Sequence, residues 1–169
     1  AKKAVEYLLS RGHRDIAFLD NFLHGNGSFS ECDLRFKAYK EVLNENNIEI
    51  NPNHIMKACD NYENVFRKCT ELFSLDKRPT AVLANDDMHA FVAVSAANSL
   101  NLKVPQDIAV IGFDNSSVSK FMIPALTTVE IPKKEISKVS LELLINKIEG
   151  KSVKDANLET ELIIRKSTN

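Results

Sequence analysis

Short apolar runs alternate along this chain with longer stretches whose apolar positions recur every three or four residues. "AVEYLLSRG" reads as the end of a helix, stopped by Gly12. "DIAFLD" at 15–20 predicts a strand, followed by the polar loop "NFLHGNGSFS" and a helix from about 31 to 46. Ser30 and Asp33 stand at capping-box spacing ahead of that helix. "HIMKAC" predicts a second strand, and "NYENVFRKCTELFSL" a helix with Val65, Phe66, Cys69, Leu72 and Phe73 at helical spacing. "PTAVLAN", "DMHAFVAVSAANSL" and "DIAVIGF" repeat strand, helix and strand. This rhythm predicts βαβ units: an α/β fold with a Rossmann-like parallel sheet and helices on both faces.

The last third departs from the rhythm. "IPALTTVEIP" is extended and bounded by prolines, Pro132 opens a long helix that ends at Gly150, and "ETELIIRKS" is a terminal strand able to return to the sheet. Around the helix at 133–149, Ile136, Val139 and Leu143 share one side, while Leu141, Leu144, Ile145 and Ile148 continue the apolar arc past half the circumference. A helix on a single sheet needs a stripe of roughly 100° or a little more. The surplus predicts contact with a second body.

Composition narrows the function. The 169 residues are 44% hydrophobic and 27% charged, ordinary values for one domain with its own core. Twenty-two basic residues are interspersed with 23 acidic ones, for a net charge of −1, which argues against nucleic-acid binding by this chain itself. The densest basic run, "KKEISK" at 133–138, opens a helix and reads as a solvated face. No apolar run approaches the ~18 residues of a membrane helix. No signal-peptide pattern is visible in these residues, which open in mid-helix without an initiator Met. Cys32, Cys59 and Cys69 include no CxxC pair and fit neither a zinc site nor a disulfide framework, so they read as reduced.

In an open α/β sheet ligands bind beyond the carboxyl ends of the strands. At those ends stand the loop 21–30 with Arg35 one turn into the next helix, then Asn85, Asp86 and Asp87, then Asp114, Asn115, Ser116 and Ser117. Carboxylates, a carboxamide and a guanidinium on one rim suit a polyhydroxylated ligand, whose hydroxyls both donate and accept. Plainer roles stand beside these: Asp86 or Asp87 as a helix cap, Arg35 in a surface ion pair, Asp114 in an Asx-turn ending its strand. "GNGSFS" lacks the third glycine of a dinucleotide loop, and no Walker loop, GxSxG or HxxxH is present. His13, His24, His54 and His89 show no nucleophile arrangement, so catalysis, a cofactor and a metal are all unsupported.

"EYLLSRGHRDIAFL", "LRFKAY", "RPTAVLANDDMHA", "VPQDIAVIGFDN", "IPALTTVEIP" and "ELIIRKST" together resemble the effector-binding domain of lactose/galactose-type repressors, the LacI/GalR family, in order and spacing over essentially the whole chain. The resemblance implies a periplasmic-binding-protein-like fold, two α/β subdomains with a sugar or purine in the cleft between them. By motif, Arg35 matches the arginine before the family's glycine–aromatic pair, which here is Ala38 and Tyr39; Asn85 matches the asparagine of "AND" and Asp114 the aspartate of "GFD". These three are the implied ligand contacts, with Ser28, Asn61 and Tyr62 as weaker candidates. The resemblance also implies a homodimer paired through the helix at 88–100 and the loop 115–124, with Met88, Phe91, Val92, Ser95, Ser117 and Phe121 at the interface. The small residues of "AVSAA" would let two backbones approach closely.

On the same comparison, residues 1–125 and 151–169 form the C-terminal subdomain, and 126–150 are the returning segment of an N-terminal subdomain otherwise missing, as is any DNA-binding domain. The expectation is a fragment holding half of a ligand cleft. It would belong to a cytoplasmic, sugar-responsive repressor that signals allosterically to DNA-binding modules, with no enzyme activity and no membrane contact. A periplasmic or surface sugar-binding protein for transport or chemotaxis is the alternative, and a small Rossmann-like enzyme a more distant one.

Overall fold

The computed structural model describes residues 1–20, 34–56 and 61–169. Its elements in chain order are α1 (Lys2–Ser10), β1 (Ile16–Leu19), α2 (Leu34–Glu45), β2 (Ile55–Met56), α3 (Tyr62–Phe73), β3 (Ala81–Ala84), α4 (Asp87–Ser99), β4 (Ala109–Phe113), β5 (Thr127–Glu130), α5 (Lys133–Ile148) and β6 (Glu161–Ile163). The predicted alternation of strand and helix is present. The strand expected from "HIMKAC" is described only at Ile55–Met56, and the Ser30–Asp33 capping box lies outside the described residues.

The six strands are ordered β2-β1-β3-β4-β5-β6. The first five are parallel, with Phe18 opposite Ile55 and Leu83, and Val82 opposite Val110. β6 runs antiparallel to β5, pairing Val129 with Leu162. Successive strand side chains point to opposite faces, and the two faces carry separate cores. Ile16, Phe18, Ala81, Leu83, Ala109 and Ile111 pack under α1 and α2, while Ala17, Leu19, Val82, Ala84 and Val110 pack under α3 and α4. Strands buried on both faces read as unbroken apolar runs, which is how "IAFL", "AVLA" and "AVIGF" appear in the sequence.

Two elements bear on the sequence expectations. Ala93, Ala96 and Ala97 of α4 are fully buried in the core against the sheet and α3, so the close approach their small side chains permit occurs inside this chain. Helix α5 has no buried residue: Val139 and Leu143 are half-covered, and Leu141, Leu144, Ile145 and Ile148 are exposed. It therefore covers neither sheet face. Its apolar surface is larger than one sheet could use, as the sequence predicts, and within this chain almost all of that surface faces outward.

The C-terminal segment closes the molecule. Ser167 is fully buried; its hydroxyl donates to Val110 O at 2.6 Å and accepts from Thr127 N at 2.8 Å, bridging β4 and β5.

Candidate functional site

The connection from β1 through α2 leads outward to β2, while β3 lies on the other side of β1. The winding reverses between β1 and β3, and a crevice opens there at the carboxyl ends of the strands. Asp20 follows β1, Asn85 follows β3, Asp114 follows β4, and Arg35 reaches in from the first turn of α2. The topology thus brings together residues 94 positions apart (114 − 20) without long side chains having to span the gap.

Arg35 is the hub. Its Nη1 donates to the backbone carbonyl of Asn85 at 2.5 Å and to Asn85 Oδ1 at 3.1 Å. Its Nη2 stands 3.8 Å from Asp114 Oδ1, and its guanidinium lies over the Phe113 ring, 4.1 Å from the centroid. The ring face favours the cation and limits the side chain to a narrow set of positions. Asn85 is buried, and its Nδ2 donates to Asp20 Oδ1 at 3.4 Å. Of the residues expected at the site, Arg35, Asn85 and Asp114 meet. Ser28 lies outside the described residues.

Asp114 sits on an uncommon backbone. Its φ is 100° and that of Asn115 is 44°, both in the region that side-chain-bearing residues seldom occupy. The turn is fastened by Asp114 N to Val129 O at 2.8 Å and by Lys133 Nζ, which donates to Asp114 O at 2.7 Å. Arg165 holds its far side, donating to Asn115 Oδ1 at 2.8 Å and to Leu126 O at 2.7 Å. Partial burial pushes the Asp114 carboxyl above the ordinary carboxylate range, against the pull of Arg35 and with added push from Asp86 and Asp87. A partly buried carboxyl with a raised pKa beside a guanidinium at a strand end is the kind of perturbed group found at functional sites.

The neighbouring carboxylates have distinct roles. Asp86 caps α4, accepting from His89 N and from His89 Nδ1, each at 2.8 Å. Burial raises its carboxyl, but the bonds from His89 and Met88 outweigh that and hold it below the usual range. Tyr62 packs edge-on against the His89 ring at 5.7 Å between centroids. Asn61 uses its side chain to cap α3, accepting from Asn64 N at 2.9 Å. Three contributors at the rim, Asp20, Phe113 and Lys133, were not among the expected site residues. Asp20 ends the apolar run "DIAFLD" at the same sheet edge as Asn85, and that position was the signal available; the reach of Lys133 to the turn had none.

Met88, Ser95, Ser117 and Phe121 are exposed, whereas Phe91 and Val92 are half-buried against the α3–α4 core. Among the described residues no helix is long and apolar enough to cross a membrane, and no group of three His, Cys, Asp or Glu side chains could hold a metal ion.

Comparison with known proteins agrees with this architecture. Residues 5–168 match the family described as "Periplasmic binding protein-like domain". The chain is 35% identical over 166 residues to the HTH-type transcriptional repressor PurR of Histophilus somni strain 2336, covering 97% of this chain and 49% of the relative. It is 34% identical over 167 residues to the HTH-type transcriptional repressor CytR of Escherichia coli K12, covering 98% and 48% respectively. The chain therefore spans about half the length of the curated relatives it matches. Among solved structures, a regulatory protein of the LacI family from Chloroflexus aggregans superposes with a TM-score of 0.86 at 30% identity, over 99% of this chain and 60% of that one. A complex described as transcriptional regulator CelR–cellobiose superposes with a TM-score of 0.85 at 26% identity, over 98% of this chain and 50% of that one. A parallel sheet wound this way, a polar rim at its switch point and a family match over nearly every residue converge: the chain belongs to the periplasmic binding protein-like domain family, in the form that serves LacI-type regulators as their effector-binding domain.

Proposed function

We propose that this chain is the effector-sensing part of a sugar-responsive transcriptional repressor and contributes one wall of the cleft that holds the sugar. The observation that carries the reading is the meeting of Arg35, Asn85 and Asp114 at the switch point of the sheet. Arg35 supplies fixed donors, Asp114 an acceptor, and Asn85 and Asp20 further polar groups, so vicinal hydroxyls can each donate and accept. The neighbour described as a cellobiose complex supports the ligand class, and so does a LacI-family regulator from Lactobacillus casei described with bound glucose, at 26% identity.

The rest of the cleft belongs to a second subdomain; of the 126–150 stretch expected to be its returning segment, β5 (Thr127–Glu130) is instead paired into the sheet formed with 1–125 and 151–169, and only the part carrying α5 remains for that role. The exposed apolar face of α5 supports that division, since it offers a docking surface with no counterpart in this chain. Ligand bridging the two halves favours one closure state, and a homodimer joined through the exposed residues Met88, Ser95, Ser117 and Phe121, with Phe91 and Val92 beside them, passes the change to DNA-binding modules. The ligand shifts that equilibrium only by its differential affinity for the two states. The protein acts in the cytoplasm and performs no catalysis.

The test is a thermal-shift screen of the full reading frame against mono- and disaccharides with nucleosides as the comparison class. A specific ligand at about 100 times its Kd stabilises by roughly 2.7 kcal/mol, a shift of several degrees. A sugar should give that shift, and Arg35→Ala should abolish it. Stabilisation by nucleosides alone would reassign the ligand class. The 169-residue chain on its own should bind the same sugar weakly or not at all, and tight calorimetric binding to it would contradict the half-cleft reading.

A further inference from the structure

Asp87 is the first residue of α4, yet it is 2% exposed and turned under the rim. Its two oxygens serve two different elements. Oδ2 accepts the Ser116 N–H at 2.6 Å, and Oδ1 accepts the Thr128 hydroxyl at 2.5 Å. Thr128 Oγ1 in turn accepts the Asn115 N–H at 3.2 Å. One carboxylate thus holds two successive amides of the turn behind Asp114, one directly and one through a hydroxyl. Residues 114 and 115 are the pair with positive φ, a backbone that persists only where its surroundings impose it. Room for the carboxylate comes from Gly112, where a Cβ would stand 2.4 Å from Asp87 Oδ1. The field of the α4 N-terminus favours its negative charge.

We infer that Asp87 is a positioning residue for the cleft, holding the 114–116 turn so that the Asp114 carboxylate stays beside Arg35 and Asn85. The inference rests on the reading of that rim as a ligand site. Asp87 acts through the turn, while Asp114 makes the contact. Because Asp87 belongs to α4, a displacement of that helix is carried to the ligand-facing carboxylate through two short hydrogen bonds.

Asp87→Asn preserves size but replaces one acceptor with a donor, so the Ser116 amide and the Thr128 hydroxyl can no longer both be accepted as they are now. Amide hydrogen exchange followed by NMR on this chain should show protection at Asn115 and Ser116 falling about tenfold or more, while strand amides such as Val82 and Ile111 keep theirs. Thr128→Val removes one arm, so it should release Asn115 and spare Ser116. Unchanged protection at both amides overturns the inference, as does an even loss across the sheet, which would mark Asp87 as a general stabiliser. Calorimetry on the full reading frame with glucose and cellobiose supplies the second readout. Asp87→Asn should weaken a bound sugar about tenfold, but less than about twofold when Asp114→Asn is already present, and additive losses would refute action through Asp114. If neither sugar binds the unaltered protein, the sugar reading fails, and the exchange pattern alone decides the role of Asp87.

Discussion

Asp114 combines a carboxylate at the rim of the sheet with a conformational and electrostatic cost. Its folded-state pKa is raised by burial, so its contribution to stability is present below the ordinary carboxyl range and lost as pH rises through the folded value. At neutral pH the ionised group is therefore a net burden on the fold. Asp114→Asn resembles the protonated form, and Asn tolerates positive φ. Denaturant unfolding at pH 7 should find this variant more stable, by less than about 1 kcal/mol because the group is a third exposed and well screened. The advantage should vanish at or below about pH 4. Sugar affinity of the full reading frame should meanwhile fall by roughly 10- to 100-fold, the value of a hydrogen bond to a charged group. Asp86 is the opposite case, a carboxylate held down by its bonds to His89 and spent on capping a helix. The sequence placed both in the same rim; only the backbone angles and bond partners separate the one that caps a helix from the one that stays beside Arg35 on a positive-φ turn.

At the scale of elements, close packing between β4 and α4 sets the rim. Gly112 is the point of contact, with a Cβ there at 2.4 Å from Asp87 Oδ1 and 2.9 Å from Leu126 Cδ2. Gly112→Ala should cost about 1–3 kcal/mol in denaturant unfolding by forcing these neighbours apart. Helix α5 shows the reverse. Leu144→Gln with Ile148→Gln alters two exposed apolar residues and should leave the stability of this chain within about 0.5 kcal/mol for each change. A larger loss would mean that α5 packs against this chain more than its exposure shows. The apolar arc of α5 was legible in the sequence, because periodicity reports how much apolar surface an element has. Which body takes that surface depends on where the helix lies, and the pattern does not contain that.

Across the whole molecule, the last residues tie together strands encoded far earlier. Ser167 links Val110 and Thr127, and Arg165 reaches Asn115, Ser119 and Leu126. Ser167→Ala leaves a buried amide and a buried carbonyl without that partner and should cost about 1–3 kcal/mol, with an unchanged denaturant slope. The terminal strand was expected to return to the sheet. Its antiparallel direction, and the use of the residues beyond it to fasten the Asp114 turn, follow from a return path that crosses no sheet face with α5.

By itself the sequence determined the fold class and a set of polar residues at the strand ends, from which the family resemblance singled out the three that meet at the rim. Apolar runs of strand length alternating with helices define the βαβ units, and polar residues at strand ends lie on the side where such sheets bind ligands. Tertiary structure decided what those residues do. Asp20, Phe113 and Lys133 joined the rim, Asp87 turned inward to hold the turn, and the alanines of α4 were used within the core. Each of these depends on distances between elements remote in the chain, which local pattern and composition cannot encode.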